Sequence, residues 1–139
     1  MIACINPKEN YLSHKREIEQ AISNVCESGQ YILGEEVKNF EREFCDFVGS
    51  KYALGVASGT DAIFLSLKSL NIGASDEVIT TSHTATATIS AIEATGAKAI
   101  FVDIEEDYFS INASMIASMI TEKTKAIVAV HIYGQPCDM

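Results

Sequence analysis

No stretch of this chain approaches the roughly 20 consecutive apolar residues that a membrane-spanning helix needs, so no transmembrane segment is expected. Basic residues are scarce. Ten Lys and Arg stand against 19 Asp and Glu, a formal charge of -9, and no Lys/Arg cluster interrupts the acidic background. Nucleic acid and acidic lipid surfaces demand a basic patch, so neither is an expected partner. The opening Met1-Ile2-Ala3-Cys4-Ile5-Asn6-Pro7 has no basic region followed by a long apolar one, which argues against secretion. Cys4, Cys26, Cys45 and Cys137 are widely separated, with no C-x-x-C pair and no His at a metal-ligand offset. No metal site is expected. The thiols read as structural and reduced, suited to a cytoplasmic protein, with Cys45 a small buried residue of a helix. Neither a Walker A Lys-Ser/Thr ending nor a G-x-G-x-x-G occurs, which disfavours nucleoside triphosphates and dinucleotides. No local Ser-His-Asp or Cys-His motif occurs either.

What the chain does have is enough apolar residue, 47% over 139 positions, to bury a sizeable core. Helices and strands are predicted in alternation. A helix is expected from a Ser13 cap to about Ser28, with Gly29 as its stop. A second follows Gly34, with Val37, Phe40, Phe44, Phe47 and Val48 on its apolar face and Gly49 as terminator. Strands are expected at 52–57, 77–80, 98–104 and 125–131. Helices are expected at 59–70, 85–94 and 111–120, although Thr84, Thr86 and Thr88 would also suit a strand. Such alternation implies an α/β fold with a parallel sheet and right-handed crossovers. The chain stops just after its last strand. That suggests a truncated sheet, whose open edge would be a liability.

The segment Gly55-Val56-Ala57-Ser58-Gly59-Thr60-Asp61-Ala62-Ile63 passes from an apolar run into a helix. Free backbone N–H groups, two hydroxyls and the positive end of a helix dipole would meet there, a natural seat for a phosphate. A simpler reading stays open, in which Ser58 and Asp61 only cap the helix and Gly59 eases the turn. His83 should emerge at the same edge of the sheet, as a site residue or as a hydrogen-bonded loop residue. His131 closes the last strand at that edge, either beside a site or satisfied in the core. His14 reads as solvated. Asp103, Glu105, Glu106 and Asp107 follow a strand, and such a run is more often a solvated turn than an acid/base pair.

Five blocks, in order, carry a likeness to a known family. They are Ser28-Gly29-Gln30-Tyr31-Ile32-Leu33-Gly34-Glu35-Glu36-Val37 with Phe40-Glu41, then Ala57-Ser58-Gly59-Thr60-Asp61-Ala62, then Asp76-Glu77-Val78-Ile79-Thr80. Gly96-Ala97-Lys98-Ala99-Ile100-Phe101-Val102-Asp103 follows, and last come residues 120–127 with Val130-His131-Ile132-Tyr133-Gly134-Gln135-Pro136. The chain resembles the N-terminal part of the DegT/DnrJ/EryC1/StrS family of nucleotide-sugar aminotransferases, which use pyridoxal 5′-phosphate (PLP).

The resemblance implies the large domain of a fold-type I PLP-dependent transferase, with residues 1–34 an N-terminal arm and helix and 35–139 the start of the sheet domain. The sheet would be incomplete and the C-terminal domain absent. It implies a homodimer that moves an amino group, usually from glutamate, to a keto-sugar on a nucleoside diphosphate. Ser58, Gly59 and Thr60 would hold the cofactor phosphate, chiefly through the Gly and Thr amides. The family often has an aromatic residue against the cofactor ring where this chain has Ala85, so His83 is expected to cover the ring. No catalytic residue of the family falls within the chain, because the Schiff-base Lys lies beyond the point matching Met139. The chain alone is therefore expected to be inactive and weakly stable. Two alternatives are a PLP-dependent sugar dehydratase on the same scaffold and a non-catalytic domain that binds a phosphorylated ligand.

Overall fold

The computed structural model describes residues 5–139, which divide into two units at Gly55/Val56. Cys4 lies outside the described residues.

The first unit is helical. Asn6 opens α1 (Pro7–Ser13) by accepting the amide of Glu9, with Pro7 at the first turn, where a missing N–H costs nothing. The helix predicted to start from a Ser13 cap instead starts one residue later, from a His14 cap, as α2 (Lys15–Ser28). The Ser13 hydroxyl turns back onto the carbonyl of Asn10 and closes α1, and His14 forms the junction between the helices. Gly29 and Gly49, both left-handed, terminate α2 and α3 (Glu35–Val48) as expected. Gly34 precedes α3, and a Cβ there would stand 2.7 Å from the carbonyl oxygen of Gln30, so no other residue fits without a shift. The apolar side of α3 is exposed, Phe40 at 60% and Phe47 at 87%, and Cys45 is half-buried rather than buried.

Residues 52–57 carry strand-forming side chains but form no strand. A strand exists through its ladder with a neighbour rather than through local propensity, and among the described residues this segment pairs with nothing. Its hydrogen bonds lie within the first unit, from the Gly55 amide to Glu41 Oε1 at 2.7 Å and from the Ser50 hydroxyl to the Tyr52 carbonyl at 3.1 Å.

The second unit is an α/β layer structure. It runs α4 (Gly59–Ser69), β1 (Glu77–Thr81), α5 (Thr86–Ala94), β2 (Lys98–Val102), α6 (Ala113–Met119) and β3 (Thr124–Ile127). The three strands are parallel in the order β2-β1-β3, with a bulge at Lys125 where β3 shifts register against β1. Because β2 and β3 flank β1 on opposite sides, right-handed crossovers must put α5 and α6 on opposite faces. The core follows that rule. Val78 packs with Ile92 of α5, Leu67 of α4, Ile72 and Ala97, while its neighbour Ile79 packs with Val102, Ile111 and Cys137, with Ile116 of α6 against them. Val78 and Ile79 are both fully buried. Fully burying such a side chain contributes about 2 kcal/mol, and these two serve opposite faces of one strand.

Two expected elements are shorter than their apolar patterns suggest. β2 ends at Val102, and Ile104 instead makes an isolated antiparallel bridge to Ile111, which delays α6 until Asn112 caps it through the amide of Ser114. β3 stops at Ile127, although the next residue stays tied to β1. The Val128 amide donates to the Ile79 carbonyl at 2.8 Å, and the Thr80 hydroxyl donates to the Val128 carbonyl at 3.0 Å.

Candidate functional site

In a parallel sheet, ligands collect at the carboxyl ends of the strands, in the crevice between neighbours whose following segments leave to opposite faces. Here β1 and β2 are such neighbours. The segment after β1 leads to α5 on one face, and the segment after β2 leads to α6 on the other.

α4 delivers its N-terminus to that same edge. Its end lies at the opposite edge, where Lys68 Nζ reaches the carbonyl of Thr95 just beyond α5, and a short turn there leads into β1. Eleven helical residues and five strand residues each span about 16 Å, so the helix returns to the carboxyl edge. One side of the helix, from Ala62 to Leu70, lines a groove of 450 Å³ along β3 and the residues that follow it, Val128, Ala129 and His131.

Ser58 caps α4, and its Oγ accepts the Asp61 amide at 3.1 Å. The Ala62 amide is taken by the Ser58 carbonyl at 3.0 Å. Among the described residues, the amides of Gly59 and Thr60 have no protein acceptor. Two unpartnered N–H groups at the positive end of an eleven-residue helix are chemically suited to an anion. The Ser58 hydroxyl, which accepts from Asp61, keeps its own proton free to donate. Gly59 strengthens this reading. Its φ is not positive and a Cβ there would meet nothing within 4 Å, so the backbone does not require glycine. Close approach of a ligand to the Gly59 amide does call for a residue without a side chain.

His83 is half-buried in the segment after β1, its amide donating to Thr81 Oγ1 at 3.3 Å. Its ring meets two aromatic rings that follow the other two strands, Phe109 at a centroid distance of 6.3 Å and Tyr133 at 5.8 Å in an edge-to-face arrangement. Segments after all three strands thus converge on one imidazole. Phe109 (φ 60°) and Tyr133 (φ 56°) are both left-handed, a conformation that costs a side-chain-bearing residue about 1–2 kcal/mol.

Glu105 organises the segment that carries Phe109. Its carboxylate accepts the amides of Asp107 (2.7 Å), Tyr108 (2.9 Å) and Ser110 (3.1 Å) and the Ser110 hydroxyl (3.3 Å). Desolvation alone would raise its pKa. The hydrogen bonds from Ser110, Asp107 and Tyr108 outweigh it and hold the carboxyl below its ordinary value. The acidic run therefore contains a structural carboxylate rather than a uniformly solvated turn. Among the described residues, the Asp103 carboxylate accepts the neighbouring Ile104 amide, at 2.8 Å, and its carbonyl the Asn112 amide, at 2.9 Å. His131 Nδ1 accepts the amide of Cys137 at 3.0 Å, and the Cys137 thiol donates to the Val130 carbonyl at 3.1 Å. His14 is exposed, 3.8 Å from Glu17.

The structure thus places Ser58, Gly59, Thr60, His83 and His131 at one sheet edge. Phe109 and Tyr133 were not evident as partners of His83, nor Glu105 as the group that shapes the turn carrying Phe109. The spacing Glu105-Glu106-Asp107 gave a cue to a carboxylate-capped turn, whereas nothing in the pattern marked the two aromatic residues.

The geometry can be set beside known proteins. The family model for the DegT/DnrJ/EryC1/StrS aminotransferases matches residues 12–139. The dTDP-3-amino-3,6-dideoxy-alpha-D-galactopyranose transaminase of Aneurinibacillus thermoaerophilus is 45% identical over 139 residues, 100% of this chain and 38% of that protein. Among solved structures, Streptomyces venezuelae DesV, in complex with a ketimine intermediate, superposes with a TM-score of 0.95 at 39% identity over 99% of this chain and 37% of that one. NtdA from Bacillus subtilis, with bound cofactor PMP, superposes with a TM-score of 0.87 at 32% identity over 91% of this chain and 29% of that one. The chain spans a little over a third of the length of the relative and of DesV.

Proposed function

The chain belongs to the DegT/DnrJ/EryC1/StrS aminotransferase family, and from that membership we propose that it is the N-terminal part of a PLP-dependent enzyme that aminates a nucleotide-linked keto-sugar. The amino donor is an amino acid, glutamate by the family's usual choice, and the intact enzyme is a cytoplasmic homodimer. The observation that carries the reading is the pair of unpartnered amides at Gly59 and Thr60 on an eleven-residue helix at the sheet's carboxyl edge. An amino-sugar transaminase as a 45% identical relative and a cofactor-bound structure superposing closely on this chain support it.

In this reading the amides of Gly59 and Thr60 and the hydroxyl of Ser58 hold the cofactor phosphate. The imidazole of His83 covers the cofactor ring in the place of the aromatic residue that Ala85 does not supply. Bound PLP supplies an electron sink for moving the amino group from donor to keto-sugar. The chain's own contribution is to bind and orient. A lysine that forms a Schiff base near neutral pH must be desolvated, and every lysine of the chain, from Lys8 to Lys125, is exposed. That agrees with the family's pattern, in which the lysine that anchors the cofactor lies beyond the point matching Met139. The exposed apolar side of α3, with Phe40, Phe44 and Phe47, suits contact with that remainder or with a second subunit.

The test is to express the full-length enzyme and supply glutamate with a dTDP- or UDP-linked keto-sugar. Formation of the amino-sugar and 2-oxoglutarate supports the reading. A PLP-free protein that leaves the keto-sugar unchanged overturns it.

A further inference from the structure

We propose that Phe109, Tyr133 and Glu105 are positioning residues for His83, fixing its imidazole at the carboxyl edge of the sheet before any ligand arrives. The consequence for the cofactor rests on the function proposed above, whereas the arrangement itself rests on the rings and the carboxylate alone.

A half-buried imidazole on an irregular segment would be free to rotate about its side-chain torsions. Two contacts restrict His83. The Tyr133 ring meets it at 64° and 5.8 Å, and the Phe109 ring at 57° and 6.3 Å, within the range over which aromatic edges and faces attract. Each aromatic residue is held in the left-handed region that aromatic side chains seldom occupy, and each sits where local hydrogen bonds fix the backbone. For Phe109 the fixing group is Glu105. One of its carboxylate oxygens collects Tyr108 and Ser110 and the other collects Asp107, so the turn closes around Phe109 and turns its ring toward His83. The Glu105 amide donates to the Ser110 carbonyl at 2.9 Å and shuts the same turn from its base. For Tyr133 the fixing contacts are the 3-10 turn Ile132–Gly134 and the Gly134 amide on the His131 carbonyl at 3.2 Å. Three strands thus each contribute one ring to a single cluster, and Glu105 acts on His83 through Phe109 without touching it.

In the cofactor-free full-length enzyme labelled with ¹³C-histidine, replacing His83 by Gln identifies the His83 ring signals, and replacing His14 by Gln identifies those of His14. Phe109→Gly and Tyr133→Gly remove a ring while glycine keeps the left-handed backbone, so these variants do not add strain. The expected result in cofactor-free protein is that both variants displace the His83 ring signals. Glu105→Ala displaces them in the same direction as Phe109→Gly, Tyr133→Phe restores the wild-type position, and His14, in the other unit, stays put. His83 signals that ignore Phe109→Gly and Glu105→Ala overturn the proposal. So does a Glu105→Ala spectrum in which His14 moves along with His83, since that makes Glu105 a general stabiliser. These cofactor-free spectra decide the matter alone. Adding PLP to the wild-type full-length enzyme tests the function separately, because an indifferent His83 there counts against ring covering and not against the cluster.

Discussion

The hydroxyl oxygen of Ser58 lies 3.1 Å from the amide of Asp61, so this serine is a helix cap whether or not a ligand is bound. Capping and anion binding are compatible here, because the cap satisfies Asp61 and leaves Gly59 and Thr60 facing outward. Removing the cap should lower stability. Ser58→Ala is expected to cost about 1 kcal/mol, and Ser58→Gly only a few tenths. Urea denaturation of the three proteins checks this, and equal midpoints for Ser58→Ala and wild type would contradict it.

Gly59→Ala separates stability from binding. The site has room for a Cβ and the φ is not left-handed, so folding should be unharmed or improved by about 0.4–1 kcal/mol. Affinity for PLP should fall all the same, because the new methyl stands beside the amide that the phosphate approaches. A variant equally stable and equally good at binding PLP would show that glycine at this position serves something else.

How much of this was legible in the sequence depends on the range of each interaction. The stops at Gly29 and Gly49, the Ser58 cap and the strands at Glu77–Thr81 and Lys98–Val102 follow from residues a few positions apart, and pattern alone located them. Residues 52–57 misled because the apolar pattern of a strand says nothing about whether a neighbour exists to pair with it. The stretch beginning at Ile111 misled because Ile111 is buried through a bridge to Ile104, not as the first turn of a helix. In the candidate site, the turn at Ser58–Thr60 was visible and His83 was suggested by position. The partners of His83 were invisible, since Phe109 and Tyr133 reach it only after the sheet has aligned three distant segments.

Glu105 predicts an acid-sensitive turn. Its pKa is lowered in the folded protein, so its contribution to stability is present in full above the ordinary value of 4.5 and is lost as pH falls from there through the lowered folded value. Glu105→Gln removes the titration, and the variant should lose less stability than wild type between neutral pH and the acid range. Parallel acid-unfolding curves for the two proteins would contradict the role given to this carboxylate.

The described thiols should differ in reactivity. Cys26 is exposed and Cys45 half-buried, whereas Cys137 is buried with its thiol donating to the Val130 carbonyl. A thiol reagent under native conditions should modify Cys26 first and Cys137 last, and denaturant should bring Cys137 to the rate of the others. Early modification of Cys137 would mean that the segment after β3 does not seal the core around Ile79, Val102 and Ile111.

The most direct test of the phosphate seat is to follow the backbone amide signals of Gly59 and Thr60 by NMR while titrating the cofactor-free full-length enzyme with PLP, with inorganic phosphate and with unphosphorylated pyridoxal. PLP should move both amides strongly, phosphate should move the same two more weakly, and pyridoxal should leave them in place. Amides that ignore PLP, or that respond equally to pyridoxal, would contradict the claim that the N-terminus of α4 holds the cofactor phosphate.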